Sequence, residues 1–247
     1  MNNPIKAIVL AAGKGSRLQT EGCELPKVMR QALGKPLLHY VLRAISFIDK
    51  KDTVIVVGYK KEDIINEFGD YIFAYQHEQL GTGHAVMSAE NELAGFSGTV
   101  LVCYGDMPML KRETYEALIA MHFEQNNACT ILTGTSDDNL PYGRIVRDEN
   151  NEFLRVVEDR DCDEQQKKIK ELNSGVYVFN AAKLFPALKK LKNNNSQGEY
   201  YLTDVPDILL GQGEKIGICM RELGSEIIGV NTLEQLTQVE TLLREAN

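Results

Sequence analysis

Short runs of apolar and β-branched residues alternate along the chain with longer stretches in which apolar residues recur at helical spacing. This alternation is typical of an α/β protein in which helices cover both faces of a mostly parallel sheet. The predicted strands are residues 5–11, 53–57, 99–104, 128–133, 176–180 and 216–220. The predicted helices are residues 37–47, 61–68, 83–93, 112–125, 181–191, 201–210 and 232–245. The last helix has Thr232 as its expected N-cap and Gln235 as its capping-box partner.

The pattern loosens between residues 136 and 174, where polar sequence contains two short strand-like pieces at 144–147 and 153–157. We interpret this region as an insertion that folds over one edge of the sheet. No internal repeat and no linker rich in glycine and serine divides the chain. We therefore predict one domain over residues 1–247, with a Rossmann-like, mixed but mostly parallel sheet and one elaborated half.

Composition and charge narrow the possible partners. The chain carries 27 Lys and Arg against 35 Asp and Glu, which argues against nucleic acid because such binding depends on cationic neutralisation of phosphates. No apolar run approaches the roughly 18 residues that span a membrane, and no secretory leader pattern precedes the first strand. The five cysteines are odd in number and widely spaced, which excludes a cysteine metal knuckle or a CxxC pair. We expect a cytoplasmic protein with reduced thiols.

A glycine-rich turn follows the first predicted strand, at the carboxyl edge of the sheet where α/β folds bind ligands. Residues 13–17 read GKGSR, and glycines there let backbone N–H groups converge on an anion. The dinucleotide fingerprint fails because Leu18 stands where its third glycine is needed, and the Walker A pattern fails because its Gly-Lys-Ser/Thr end is absent. Two interpretations remain: an anion loop carrying Lys14 and Arg17, or an ordinary turn with two solvated cations.

Two further side chains are expected at this edge. Pro26 fixes the backbone just before Lys27, so the lysine can serve as a phosphate clamp or remain a solvated charge. The segment Tyr104-Gly105-Asp106 ends the strand 99–104 and brings a carboxylate to the same edge. One hard oxygen ligand beside phosphates is how Mg²⁺ is usually held. Asp106 is therefore a candidate magnesium ligand, with a simple turn residue as the alternative.

Two other segments carry polar groups suited to a base and to a sugar. Residues 76–85, QHEQLGTGHA, place an amide, two glycines and a hydroxyl before a helix, which suits hydrogen bonding to a base edge or a tight helix start. We expect His84 to be structural, because no carboxylate or nucleophile partner is evident in the sequence. Glu158, Asn173 and residues 197–204 carry hydroxyl, amide and carboxylate groups. Such groups either bind sugar hydroxyls selectively or simply face solvent.

In this order, the motifs resemble those of the uridyltransferase (pyrophosphorylase) domain of the bifunctional N-acetylglucosamine-1-phosphate uridyltransferase family, within the sugar-nucleotidyltransferase superfamily. The likeness spans nearly the whole chain. It is carried by LAAGKGSR at 10–17, LPKV at 25–28, QLGTGHA at 79–85, YGD at 104–106, YGRI at 142–145, VE at 157–158, NSG at 173–175, NNNSQGEYYLTD at 193–204 and GVN at 229–231. The first two motifs mark the superfamily only, whereas QLGTGH and NNNSQGEYYLTD are far more specific.

The resemblance implies a nucleotide-diphospho-sugar transferase fold, with a nucleotide-binding half at residues 1–106 and 226–247 and an inserted sugar-binding half at 107–225. It implies Mg²⁺-dependent condensation of UTP with N-acetyl-α-D-glucosamine 1-phosphate, which yields UDP-N-acetylglucosamine and pyrophosphate by in-line attack without a covalent intermediate. The implied partners are therefore UTP and a sugar 1-phosphate.

The resemblance also implies a role for each matching residue. Arg17, Lys27 and Asp106 would be catalytic, with the two cations on the phosphates, and Asp106 and Asn231 would ligate Mg²⁺. The residues implied to line the nucleotide are Leu10, Ala11, Ala12, Gly13, Gln76, Gly81, Thr82, Tyr104 and Gly105. The residues implied to face the amino sugar are Gly143, Glu158, Asn173, Tyr201 and Thr203.

The sequence departs from the family pattern in three places. Residues 19–24 form a longer loop before Lys27, and Thr232 follows Asn231 where the family often has Asn or Asp. The third departure is that the sequence stops at Asn247, so we expect neither the family's left-handed β-helix acetyltransferase domain nor acetylation of glucosamine 1-phosphate. Because the family trimerises mainly through that domain, we expect a monomer or dimer.

Three other functions stay open. The same chemistry could act on another sugar 1-phosphate or nucleoside triphosphate. A module that holds a UDP-sugar without turnover is disfavoured, because a binder needs no metal at the α-phosphate and yet Arg17, Lys27, Asp106 and Asn231 are all present. A glycosyltransferase with a related sheet usually holds its metal with an Asp-x-Asp pair, whereas Met107 and Pro108 follow Asp106 here.

Overall fold

The computed structural model describes residues 4–18, 24–138 and 140–245. The strands in these ranges are β1 (Ile5–Leu10), β2 (Gln31–Ala32), β3 (Lys35–Pro36), β4 (Thr53–Val57), β5 (Ile72–Tyr75), β6 (Thr99–Tyr104), β7 (Cys129–Thr135), β8 (Arg144–Arg147), β9 (Phe153–Val157), β10 (Glu171–Asn180) and β11 (Ile216–Arg221). The helices are α1 (Leu37–Ala44), α2 (Lys61–Glu67), α3 (Thr82–Met87), α4 (Arg112–Glu124), α5 (Ala181–Leu188), α6 (Val205–Leu210) and α7 (Leu233–Glu245).

The central sheet is mixed and mostly parallel, as predicted. Its strands follow the order β11-β7-β10-β6-β1-β4-β5, and β10 runs antiparallel to both of its neighbours. Leu10, at the end of β1, pairs with Tyr104 of β6 on one side and with Val56 of β4 on the other. The carboxyl ends of these strands therefore lie level with one another, so the turns that follow them share one edge.

Two apolar cores lie on opposite faces of this sheet, because successive side chains of a strand point to opposite sides. Val9 belongs to the core that α1, α2 and α4 cover, and Ile8 belongs to the core that α3, α5 and α6 cover. The predicted placement of helices on both faces is confirmed. A third, smaller cluster packs α7 beside Leu18 and Leu37.

Several strands differ from the sequence prediction, and the two-residue strands β2 and β3 were not predicted. The edge strand β5 was not predicted, because its four residues form too short an apolar run. Strand β10 begins at Glu171, ahead of the predicted residue 176. Its polar start is buried because the side chains have partners: Ser174 Oγ donates to the Leu132 carbonyl at 2.8 Å. The pairing of β10 with β7 is irregular between Asn173 and Tyr177.

The start of α7 has the predicted capping box. The Gln235 N–H donates to Thr232 Oγ1 at 3.3 Å, and Gln235 Oε1 accepts from the Thr232 N–H at 3.1 Å. The same oxygen accepts from the Asn231 N–H at 2.7 Å, so the cap also fixes the residue before the helix. No helix in the described part of the chain is long and apolar enough to cross a membrane.

Candidate active site

Two cavities open at the carboxyl edge of β1, β4 and β6. The first, of about 230 Å³, is lined by eight of the residues implied to hold the nucleotide: Leu10, Ala11, Ala12, Gly13, Gln76, Gly81, Thr82 and Tyr104. The second, of about 220 Å³, is lined by Gly143, Glu158 and Asn173, the first three residues implied to face the sugar. Lys27, Tyr104 and Asp106 line both cavities. A ligand in one cavity would therefore meet a ligand in the other at these three side chains.

Lys27 is the centre of the polar cluster between the cavities. Its ammonium forms an ion pair with Asp106 and donates to Asn231 Oδ1 at 2.7 Å. Arg17 Nη2 donates to the same oxygen at 3.5 Å. Lys27 and Asp106 expose only 16% and 14% of their side chains, so their charges are weakly screened. The structure thus brings together all four residues implied to act on phosphates and metal.

The turn after β1 and the core hold Lys27 in this place. Gly15 has a positive φ of 65°, and a Cβ added there would lie 2.5 Å from Lys27 Cβ. On the other side Val28 is buried against the core that contains Leu38. Residues 19–23, which form most of the longer loop before Lys27, lie outside the described residues.

Asp106 and Asn231 have the chemistry of a divalent metal site. Oxygens of both side chains bond to one ammonium, so they converge on a position where a cation is favoured. Carboxylate and amide oxygens are hard ligands that suit Mg²⁺, which keeps several waters or substrate oxygens in its shell. Among the described residues, no group of three or more His, Cys, Asp and Glu could hold a metal. A metal here would therefore also need oxygens from water or from the ligand.

The Gln76 amide bounds the first cavity at one end. Gln76 is only 6% exposed, and its N–H donates to the Val57 carbonyl at 2.8 Å. Its Nε2 donates to the Gly81 carbonyl at 3.1 Å and lies 3.1 Å from His84 Nδ1. Gln76 therefore presents a side chain of fixed orientation to this end of the cavity.

The segment around Gly81 is fastened to residues 199–203. Gly81 has a φ of 107°, and a Cβ added there would lie 2.7 Å from the Tyr200 carbonyl oxygen. That oxygen accepts from the Gly83 N–H at 2.7 Å, and the Leu202 N–H donates to Thr82 Oγ1 at 3.0 Å. The two family-specific motifs thus form one wall of the site.

Glu158 and Asn173 are held by hydrogen bonds in the second cavity. Thr203 Oγ1 donates to Glu158 Oε1 at 2.9 Å. Burial raises the pKa of Glu158, and the bond from Thr203 partly opposes that rise. The Asn173 N–H donates to the Gly143 carbonyl at 2.8 Å, and Asn173 Nδ2 donates to the Tyr177 hydroxyl at 2.7 Å. The three cavity-lining residues are therefore rigidly placed.

Four predicted site residues stand outside both cavities: Arg17, Gly105, Tyr201 and Thr203. Arg17 is linked to the second cavity through its bond to Asn231, which lines it. Gly105 donates its N–H to the Leu10 carbonyl at 2.9 Å and packs against Leu38. Thr203 is 2% exposed and acts on the cavity only through Glu158. Tyr201 lines a third cavity, of about 440 Å³, together with Asp204.

Asp204 is the most perturbed carboxyl group near the site. Burial, with added repulsion from Asp207 and Asp161, raises the pKa of Asp204 from 3.8 to about 6. The raised pKa means that deprotonation of Asp204 costs the folded protein more free energy than it costs the unfolded chain.

Sequence analysis missed several residues that build the site. Gln79 lines the first cavity and donates from Nε2 to the Ala12 carbonyl at 2.7 Å. The Tyr142 hydroxyl lines the second cavity, accepts from the Gly229 N–H at 2.9 Å and donates to the Ile227 carbonyl at 2.6 Å. Both residues stand in the motifs, but their partners are distant in sequence.

Comparison with known proteins gives one family match over most of the chain, because residues 7–205 match the MobA-like NTP transferase domain. Bifunctional protein GlmU of Streptococcus thermophilus is 45% identical over 240 residues, which are 96% of this chain and 51% of that protein. Bifunctional protein GlmU of Caldanaerobacter subterraneus is 43% identical over 239 residues, with the same coverage of 96% and 51%. The chain thus spans about half the length of these relatives.

A solved structure supports the fold. It is named a glucose-1-phosphate thymidylyltransferase from Bacillus anthracis, in complex with a sucrose, and superposes with a TM-score of 0.74 at 20% sequence identity. The match covers 98% of this chain and 96% of that one. The predicted fold class is confirmed, and the chain belongs to the family of MobA-like NTP transferase domains.

Proposed function

We propose that this chain condenses UTP with N-acetyl-α-D-glucosamine 1-phosphate to give UDP-N-acetylglucosamine and pyrophosphate. The observation that carries the proposal is the pair of cavities that meet at Lys27, Tyr104 and Asp106. Two cavities with shared cationic and acidic side chains suit a reaction in which two phosphate-bearing substrates react at their junction. The identity to the relatives named GlmU supports this substrate pair.

In this mechanism a phosphate oxygen of the sugar 1-phosphate attacks the α-phosphorus of UTP in line. The bond from that phosphorus to the oxygen bridging the α- and β-phosphates breaks, and pyrophosphate leaves with the bonding electrons. Lys27 and Arg17 neutralise charge on the phosphates. The chain contributes positioning and electrostatic stabilisation, as is general for phosphoryl transfer.

Asp106 and Asn231 would hold Mg²⁺ in this proposal. The ion would neutralise phosphate oxygens and orient the α-phosphate when bound. Gln235 supports the metal ligand by accepting the Asn231 N–H at 2.7 Å. The ammonium of Lys27 lies against oxygens of both Asp106 and Asn231, and in this proposal Lys27 exchanges these contacts for one with phosphate.

The remaining predicted residues divide between the two substrates. Gln76, Gly81 and Thr82 hold uracil and ribose, and the backbone from Leu10 to Gly13 lines the nucleotide. Gly143, Glu158 and Asn173 face the amino sugar, with Thr203 positioning Glu158. We assign no direct substrate contact to Gly105, which packs against the core.

The test is pyrophosphate release with Mg²⁺, UTP and a panel of sugar 1-phosphates, with CTP, dTTP, ATP and GTP as alternative nucleotides. We expect the fastest turnover with UTP and N-acetylglucosamine 1-phosphate. Asp106→Asn should lower the rate by about 10²–10³-fold, because it removes one charge from the reacting centre. Asp70→Asn, at an exposed surface pair with Lys50, is the matched control and should keep the wild-type rate.

The outcome separates the competing functions. Faster turnover with another sugar or nucleotide would keep the chemistry and change the substrate. Nucleotide binding without pyrophosphate release from any pair would contradict the proposal and favour a UDP-sugar-binding module.

The monomer or dimer stays a prediction, which light scattering after size-exclusion chromatography tests. The free and buried Cys103, Cys129, Cys162 and Cys219 support a cytoplasmic location.

A further inference from the structure

The orientation of the Gln76 amide follows from its neighbours. One end of the amide lies 3.1 Å from the Gly81 carbonyl oxygen, which can only accept a hydrogen bond. The group that faces it must therefore be the NH₂, because the opposite orientation would set two acceptors against each other. The two ends of a glutamine amide are thereby distinguished by chemistry.

His84 is the second partner of the same NH₂. Its Nδ1 lies 3.1 Å from Gln76 Nε2, and because that nitrogen is a donor, Nδ1 must accept. The ring is then neutral and carries its proton on Nε2. Both N–H bonds of the Gln76 amide are thus directed at protein acceptors, Gly81 and His84.

The amide oxygen is the part of Gln76 left for a ligand. No described residue donates a hydrogen bond to Gln76 Oε1, although the residue is 6% exposed and lines the first cavity. An acceptor that borders a cavity and has no protein donor is available to a ligand that supplies one. The group that fits is an N–H donor.

We propose that His84 is a specificity-determining positioning residue that holds the Gln76 amide with its oxygen towards the base, and thereby selects uracil over cytosine. Uracil carries a hydrogen on N3 and can donate to Gln76 Oε1. Cytosine has a lone pair on N3, which would face that oxygen as a second acceptor. The inference rests on the proposed function because it takes the first cavity as the nucleotide site.

Loss of His84 weakens this selection without abolishing it. The Gly81 carbonyl remains as an acceptor for the NH₂, so it still favours the same orientation. Without Nδ1 one N–H loses its partner, and the amide can turn to present NH₂ to cytosine N3 at a lower cost. A histidine needed only for packing would instead affect both nucleotides alike.

Three variants test the proposal. His84→Leu removes the acceptor, and His84→Asn restores one, because its amide oxygen takes roughly the position of Nδ1. His77→Leu is the matched control, since His77 is exposed and stacks on Tyr75 at 6.4 Å between ring centroids. The affinities for UTP and CTP are measured by titration calorimetry without sugar phosphate, and the kcat/KM values by pyrophosphate release. Urea unfolding establishes that each variant is folded.

The expected result is a change in the ratio of the two affinities. His84→Leu should lower the preference for UTP over CTP by about tenfold, the effect of one misplaced hydrogen bond. His84→Asn and His77→Leu should keep the preference within about threefold of wild type. An unchanged preference in His84→Leu, or an equal loss of affinity for both nucleotides, would overturn the inference.

The same experiment separates this inference from the proposed function. If the wild type binds UTP but releases no pyrophosphate from any pair, the proposed reaction fails, and the calorimetric ratio still decides the role of His84. If the wild type turns over UTP and the ratio of UTP to CTP affinity is the same in His84→Leu as in wild type, only the inference fails. A wild type that binds neither nucleotide overturns both.

Discussion

Replacement of Gly15 by alanine tests how the turn after β1 controls the active site. Gly15 has a φ of 65°, a region that costs an L-residue about 1–2 kcal/mol. The new Cβ would also lie 2.5 Å from Lys27 Cβ and 3.2 Å from Lys27 Cα. These atoms are the rigid base of the side chain, so the lysine backbone must move by roughly 1 Å to restore ordinary contact, an overpacking that costs about 1–3 kcal/mol.

The movement should lower both the stability of the fold and the rate of the reaction. We expect Gly15→Ala to lower the free energy of unfolding by about 2–5 kcal/mol, from the sum of strain and overpacking. It should also slow pyrophosphate release by about 100-fold, because a displacement of about 1 Å takes the ammonium away from its partners on Asp106 and Asn231. Urea unfolding and steady-state kinetics measure the two effects separately.

Gly95→Ala is the matched control. Gly95 also has a positive φ, of 75°, but nothing lies within 4 Å of a Cβ added there. In Gly95→Ala the added backbone strain alone should lower the free energy of unfolding, by about 1–2 kcal/mol, and the rate should stay at the wild-type value. If Gly15→Ala loses no more stability than Gly95→Ala and keeps its rate, the contact between Gly15 and Lys27 does not position the lysine.

Three further predictions concern residues around the site. Thr203→Val should raise KM for the sugar phosphate about tenfold or more and leave KM for UTP unchanged, because Glu158 loses a charge-assisted hydrogen bond; steady-state kinetics with each substrate varied will show this. Glu226→Ala should lower the free energy of unfolding in urea by about 2–3 kcal/mol, because the Lys111 N–H and the Thr114 hydroxyl at the start of α4 lose their acceptor; an unchanged urea midpoint would refute this. Asp204→Asn should become more stable relative to wild type as the pH rises from about 4 to about 6, because over this range folded wild type still holds a proton that the unfolded chain has released. We expect a relative gain of about 1 kcal/mol after solvent screening, and equal pH profiles of the melting temperature for the two proteins would contradict it.

Local signals predicted much of this fold. The capping box of α7 was predicted because its two partners stand three residues apart and share one turn of backbone. Strand β5 was missed because four residues carry too little pattern, and it is stabilised because all four residues pair with β4. The start of β10 was missed because its polar residues become acceptable inside the sheet only when distant partners such as the Leu132 carbonyl satisfy them.

In the candidate site, too, local sequence predicted some features and distant contacts decided the others. The motifs named the residue types, and the structure groups most of them around two cavities. The sequence did not indicate that Thr203 lies behind Glu158, that Gly105 is a packing residue, or that Gln79 braces Ala12. Each of these roles depends on which side of a turn faces the cavity.

By itself, the sequence determined the α/β class, the glycine turn after the first strand and the acidic character that disfavours nucleic acid, because these depend on neighbouring residues or on composition alone. Only the tertiary structure decided that Lys27 bonds to Asn231, a residue 204 positions away, and that His84 orients the Gln76 amide. The physical reason is that such contacts require the sheet order to bring separate turns to one edge. Hydrogen-bond direction then depends on atoms a few ångströms apart in space.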